Sequence, residues 1–141
     1  MAATFEQVEA ALLAPWVPIA DGGLGEWTAT PYVTYENVDF DTKDFGDGPW
    51  MRVEINGGTR RTVDMSATQY GWPEVYIAAH VPLGRGKAQA RALLDAAVAM
   101  YAGRLFTAGT STIKEYSISQ PVQLPADGWY KLAVNINMHL F

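Results

Sequence analysis

The stretch HVPLGRGKAQARALLD, residues 80–95, passes from an alternating segment to a helical one through Gly84-Arg85-Gly86-Lys87. A strand, a glycine-rich turn carrying a lysine and then a helix is the build of a phosphate-binding loop. The spacing argues against that chemistry. A Walker loop needs four residues between its first glycine and the Gly-Lys pair, then a serine or threonine for magnesium. Here Gly84 stands two residues before Gly86, and Ala88 follows the lysine, so no hydroxyl is offered to a metal. The dinucleotide pattern fails as well, because Gln89 occupies the place of its third glycine. The plainer reading is a corner: Pro82 ends a strand, Gly84 turns the chain and Gly86 caps a helix. Lys87 at a helix start opposes the helix dipole by a few tenths of a kcal/mol. Arg85 and Lys87 are therefore candidates to meet an acidic partner or a DNA phosphate, or else are simply solvated.

Other catalytic groupings are sparse. His80 and His139 are far apart in the chain, and both fall on polar strand faces. No serine lies in a Gly-x-Ser-x-Gly turn. Asp39 and Asp41 form a possible carboxylate pair inside the acidic turn that also holds Asp44 and Asp47. With no cysteine, thiol catalysis, disulfides and zinc-thiolate sites are excluded. The expectation is a protein that is not an enzyme and uses no cofactor or metal. The five tryptophans, Trp16, Trp27, Trp50, Trp72 and Trp129, stand at element edges or in loops beside proline or glycine. Some should seal the rim of the core, and others should anchor a protein interface, where tryptophan is enriched. Trp27, in a glycine-rich loop, is the leading interface candidate.

The elements that position these residues read as follows. Residues 4–14 have a capping-box pattern, Thr4 with Gln7, and an apolar stripe of Phe5, Val8, Leu12 and Leu13. Pro15 and Pro18 stop that helix. Residues 19–31 form a long loop with three glycines, a length that is usually functional or mobile. Residues 32–40 and 50–58 are strand-like, the second alternating Met51, Val53 and Ile55 against Arg52 and Glu54. Gly57-Gly58 predicts a turn before another strand. In 72–82, Val75, Ile77, Ala79 and Val81 make an inner row, with Glu74, Tyr76 and His80 outside. The longest helix spans about 86–102, buried along Ala90, Leu93, Leu94, Ala97, Val98 and Tyr101 and ended at Gly103. A strand follows near 110–119. The last, 129–140, alternates Leu132, Val134, Ile136, Met138 and Leu140 with polar residues. One-sided alternation predicts an α+β fold, a mainly antiparallel sheet with two helices packed on one face.

The 141 residues suit one domain with a core large enough to stand without cross-links. The N-terminus shows no export signal, and no apolar run reaches membrane-spanning length, so the expectation is a soluble chain without membrane contact. The net charge of −5 disfavours broad DNA binding. That charge is split. Residues 1–51 hold nine acids and one base, and residues 52–141 hold six acids and nine bases. Such a split suits a subunit whose acidic side meets a neighbour's basic side. Alternatively, Asp39, Asp41, Asp44 and Asp47 share one solvated loop.

Taken in order, these motifs resemble the tail terminator proteins of long-tailed, siphovirus-like phages and of gene-transfer particles. YENVDF with GPWMRVEI is similar to the family's Asn-x-x-Phe and Pro-(aromatic or Leu)-x-Arg-Val segments. WPEVYIAAHVPLGRGKAQARALLDAAVAMYAG resembles its strand, its Pro-x-Gly-x-Gly corner and its Ala/Leu-rich helix. DGWYKLAVNINMHL is similar to its terminal Gly-Trp-Tyr strand. One departure is Tyr70-Gly71-Trp72, where the family usually has Arg-x-Gly. The likeness spans residues 1–141 as a single domain and rests on shared order rather than on any one motif.

The resemblance implies a structural role in the neck of a virion assembled in the bacterial cytoplasm. A homohexameric ring would cap the tail tube, stop its polymerisation and receive the head-completion or connector protein. DNA would pass through in transit. The partners implied are other copies of the chain, the major tail tube protein and the connector. On that reading an acidic lumen would repel the DNA backbone, and the 19–31 loop would order on docking to the tube. Another neck or head-closure ring protein, and a small cytosolic α+β enzyme or ligand-binding domain, are the alternatives the residues leave open.

Overall fold

The computed structural model describes residues 4–30, 32–35, 48–62, 69–84, 87–124 and 128–140, with side chains left aside at 57–62, 69 and 70. The elements run α1 (Phe5–Leu13), β1 (Val33–Tyr35), β2 (Trp50–Thr62), β3 (Gln69–Pro82), α2 (Ala88–Ala99), β4 (Leu105–Ala108), β5 (Ser111–Ile118), β6 (Val122–Leu124) and β7 (Trp129–Leu140), with a 3-10 turn at Ile19–Asp21. No helix among the described residues is long and apolar enough to cross a membrane.

The seven strands form one mixed sheet, ordered β1-β2-β3-β7-β5-β4, with β6 also paired to β7. Only β1 with β2 is parallel among the described ladders. The sheet curls into a half-barrel, so the coarse α+β expectation holds.

Period-2 alternation explains the centre of this sheet. Val53, Ile77 and Val134 lie across from one another on β2, β3 and β7, and all are buried. One continuous cluster joins these rows to Val8 and Leu12 of α1 and to Ala90, Leu93, Leu94 and Ala97 of α2. Removing such a side chain leaves a cavity, so Ile77→Ala would cost about 2–5 kcal/mol.

The capping box on α1 forms as the pattern predicts. Gln7 N donates to Thr4 Oγ1 at 3.2 Å, and Thr4 N donates to Gln7 Oε1 at 2.9 Å. Phe5 departs from the expected stripe and is exposed, since α1 buries only Val8 and Leu12 fully.

Two local expectations are corrected. Gly57-Gly58 is a bulge inside β2 and not a turn. Asn56 pairs with Glu74 and Thr59 with Trp72, so β2 carries one extra residue there and continues to Thr62. Paired glycines serve a bulge as well as a turn, and only the partner strand distinguishes the two. The helix predicted from 86 begins at Ala88, with Lys87 rather than Gly86 at the N-cap position. Strands β4 and β6, of four and three residues, were not among the expected elements.

The 19–31 loop also differs from expectation, because its own chain holds residues 19–30. Pro15 and Pro18 stop α1 and leave nearby carbonyls open. Leu24 N donates to Ala14 O, Gly25 N to Val17 O, and Glu26 N and Trp27 N both donate to Pro15 O, at 2.9–3.1 Å. Gly23 is required by proximity, since a Cβ there would collide with the backbone of Val17.

Tyr101 joins this layer to the rest of the molecule. Its hydroxyl donates to Leu12 O at 2.6 Å and accepts from Trp16 Nε1 at 2.7 Å, all buried. Replacing Tyr101 with Phe leaves a carbonyl and an indole N–H without their partner in the interior. Urea denaturation should show a loss of about 2 kcal/mol or more; a loss under about 0.5 kcal/mol would mean that the hydroxyl carries no structural weight.

Candidate functional site

Of the residues singled out by sequence, Asp39, Asp41, Asp44, Asp47 and Arg85 lie outside the described residues. Trp27 and Lys87 are described, and the fold does not bring them together into one site.

Trp27 is half-buried against the core. Its ring centroid lies 4.6 Å from that of Trp16, and its Nε1 donates to Thr30 O at 3.0 Å. The indole thus closes the rim over Trp16. What remains accessible borders a cavity of about 330 Å³ with Pro18, Thr30, Val33 and Tyr35. Burial, and then the Asp21 charge, raise the Tyr35 phenol above its ordinary value. Behind it, Glu26 Oε1 accepts from Arg104 Nη1 at 2.6 Å, while that guanidinium lies 4.8 Å from the Phe106 ring centroid.

Lys87 is exposed at the start of α2 and makes no side-chain cap. With Leu83, Gly84 and Tyr130 it borders a shallow apolar hollow of about 470 Å³. Gly84 has φ +85 with open space where a Cβ would sit, so the turn itself requires glycine. Apart from the Lys87 ammonium and the Tyr130 hydroxyl, the lining among the described residues is apolar.

His80 is the residue that sequence placed wrongly. Expected on a solvated strand face, it is 4% exposed. Its ring stacks on Trp50, with centroids 3.6 Å apart and planes 6° from parallel, and Trp129 meets Trp50 edge-on at 5.9 Å. Ala78 and Ala133, opposite one another on the same face, are buried too. Trp50 and Ala78, apolar residues in the supposedly polar rows, were the available signal. Burial first, then the charges of Lys131 and Arg52, lower the His80 pKa from 6.5 to about 4, against a weak opposite pull from the Ala78 backbone. Arg52 is itself paired with Glu54 at 2.8 Å.

On the same face, Trp72 and His139 stack with centroids 5.8 Å apart and planes 7° from parallel. The described residues contain no group of three or more His, Cys, Asp or Glu placed to hold a metal.

No family model matches the chain. No curated protein matches it. Among solved structures, one whose name states no activity has a TM-score of 0.67 at 14% identity, covering 98% of this chain and 96% of the other. At that identity the likeness extends to the fold alone.

Two outcomes follow from this geometry. Because the folded pKa of His80 lies below the unfolded value, the unfolded chain takes up the proton first as pH falls. The stability tied to this group is full above about pH 6.5 and is lost toward about pH 4, roughly 3 kcal/mol in all. His80→Phe keeps a ring against Trp50 and should remove that part of the acid sensitivity in urea titrations; identical pH profiles for the two proteins would contradict it. Replacing Arg85 and Lys87 together with Ala should leave the melting transition within about 0.5 kcal/mol of the parent, and a collapse of melting would make the corner structural.

Proposed function

We propose that the chain is a structural tail terminator, a subunit of a hexameric ring that caps a phage-like tail tube, stops its growth and joins it to the head connector. The observation that carries this reading is the position of the motif order on the fold. GPWMRVEI leads into β2, WPEVYIAAHVP lies in β3 and runs through the glycine corner into α2, and DGWYKLAVNINMHL contains β7. The segments that carry the resemblance are therefore the three adjacent central strands and the main helix.

In this reading the two helices lie on one face of the sheet and leave the other to neighbours. The open sheet also supports the reading. Its ends are unlike: a three-residue parallel strand, β1, at one and an antiparallel hairpin, β4–β5, at the other. Unlike sides suit a head-to-tail contact that closes by rotation, which a ring needs. DNA would pass through such a ring without base-specific contact. The corner residues Arg85 and Lys87 and the exposed part of Trp27 are then candidates for contacts with the tube or connector.

Tail tube protein polymerised with this chain should give short tubes capped at one end, against uncapped tubes of open-ended length without it. The readout is the length distribution in negative-stain images. Unaltered lengths with no chain bound would contradict the proposal.

A further inference from the structure

Three aromatic side chains, Trp16, Trp27 and Tyr35, border the cavity of about 330 Å³ together with Pro18, Thr30 and Val33. Trp16 is buried, while Trp27 and Tyr35 are half-buried, so the rings are held by the core yet reach solvent. The two indoles meet at 38°, as a wedge and not a flat stack. Both indole N–H groups are engaged inside the chain, Trp16 Nε1 with the Tyr101 hydroxyl and Trp27 Nε1 with Thr30 O. The Thr30 hydroxyl is engaged as well, donating to Pro49 O and accepting from Tyr32 N. What the tryptophans offer a ligand is therefore π surface, whose quadrupole favours a cation.

Elsewhere the chain supplies its own cation to such rings. The Arg104 guanidinium lies 4.8 Å from the Phe106 ring centroid, and Lys131 Nζ lies 5.8 Å from that of Tyr76. No lysine or arginine borders the 330 Å³ cavity among the described residues. Arg104, whose charge reaches the nearby Tyr101, is paired with Glu26 at 2.6 Å.

A negative charge stands at the rim instead. Asp21 N donates to Pro18 O at 3.0 Å, which closes the 3-10 turn and ties Asp21 to a residue of the cavity wall. Asp21 is exposed and has no ion partner among the described residues. It is near enough to Tyr35 for its charge to help raise the phenol. An acid beside aromatic walls repels anions. A bare metal ion would need a shell of oxygen ligands, and the described residues show no group of acids placed to give one. The volume is near the low end of ligand pockets, about 300–1,000 Å³, and so selects a small guest.

We propose that this cavity binds a quaternary ammonium group, a trimethylammonium head seated against Trp16, Trp27 and Tyr35 with Asp21 balancing its charge at the rim. Free choline and the headgroup of phosphatidylcholine present the same chemistry. The site is complete within one chain and does not depend on the ring.

The experiment is a titration of the purified full chain with choline chloride, following the Trp27 indole N–H by NMR, with sodium chloride of equal ionic strength as reference. The Trp27→Phe protein assigns that resonance. Choline should give a saturable shift with a Kd of about 1 mM. Its neutral isostere, 3,3-dimethyl-1-butanol, should bind about tenfold more weakly or less. Asp21→Asn should weaken choline binding about threefold or more with unchanged melting. Tyr35→Leu should weaken it about tenfold, and Tyr35→Phe, which keeps the ring, should bind as the parent does. If Tyr35→Leu misfolds, the isostere and Asp21→Asn decide. Phosphatidylcholine vesicles that sediment with the chain, and release it to free choline, would make the headgroup the source; choline binding without vesicle binding would make it a free solute, and both uphold the site. No saturable shift beyond sodium chloride, equal binding of the isostere, or parental affinity in Asp21→Asn would overturn it. No tube enters these measurements, so the tail-terminator reading stands or falls separately.

Discussion

The hydroxyl of Tyr101 is the point at which separate parts of this chain become one structure. It donates to the last turn of α1 and accepts from Trp16, just beyond that helix. Trp16 supports Trp27, whose backbone N–H and that of Glu26 return to Pro15, while Glu26 holds Arg104 just past Tyr101 in sequence. The circuit runs from the end of α1 through the 19–30 loop to the exit of α2 and back. Burial raises the phenol far above its ordinary range, so it keeps its proton at any pH the fold survives. A neutral hydroxyl with one donor and one acceptor partner satisfies two buried groups that would otherwise each cost about 1–3 kcal/mol.

That constraint sets a contrast between the two faces of the sheet. On the core side the interior is largely apolar, and the Tyr101 junction is satisfied. On the other side the buried portion is aromatic and titratable, with His80 under Trp50 beside two cations. Farther along the same face, burial gives way to exposure at Trp72, Lys114 and Leu105.

Sequence made the regular parts legible because one physical rule dominated each of them. In β7 the alternation of Leu132 to Leu140 follows from a single buried face, and in α2 the Ala90–Tyr101 stripe follows from helical period. The capping box was equally local. What stayed hidden needed partners far away in the chain. Gly57-Gly58 becomes a bulge only when β3 fixes the register. His80 is buried because Trp50, thirty residues earlier, folds onto it. The 19–31 loop looked loose by composition, yet its ties are backbone bonds to carbonyls that Pro15 and Pro18 left open, which composition does not record. Of the candidate site residues, Trp27 and Lys87 could be named from sequence, but that they border separate cavities could not, since that depends on where the loop and the corner pack.

The central claim is that copies of this chain close into a ring on a tube tip. Electron cryomicroscopy of isolated tube ends bearing the chain tests it most directly. The account predicts six copies in one layer at one end. Density distributed along the tube wall, or single copies at the tip without subunit contact, would contradict it.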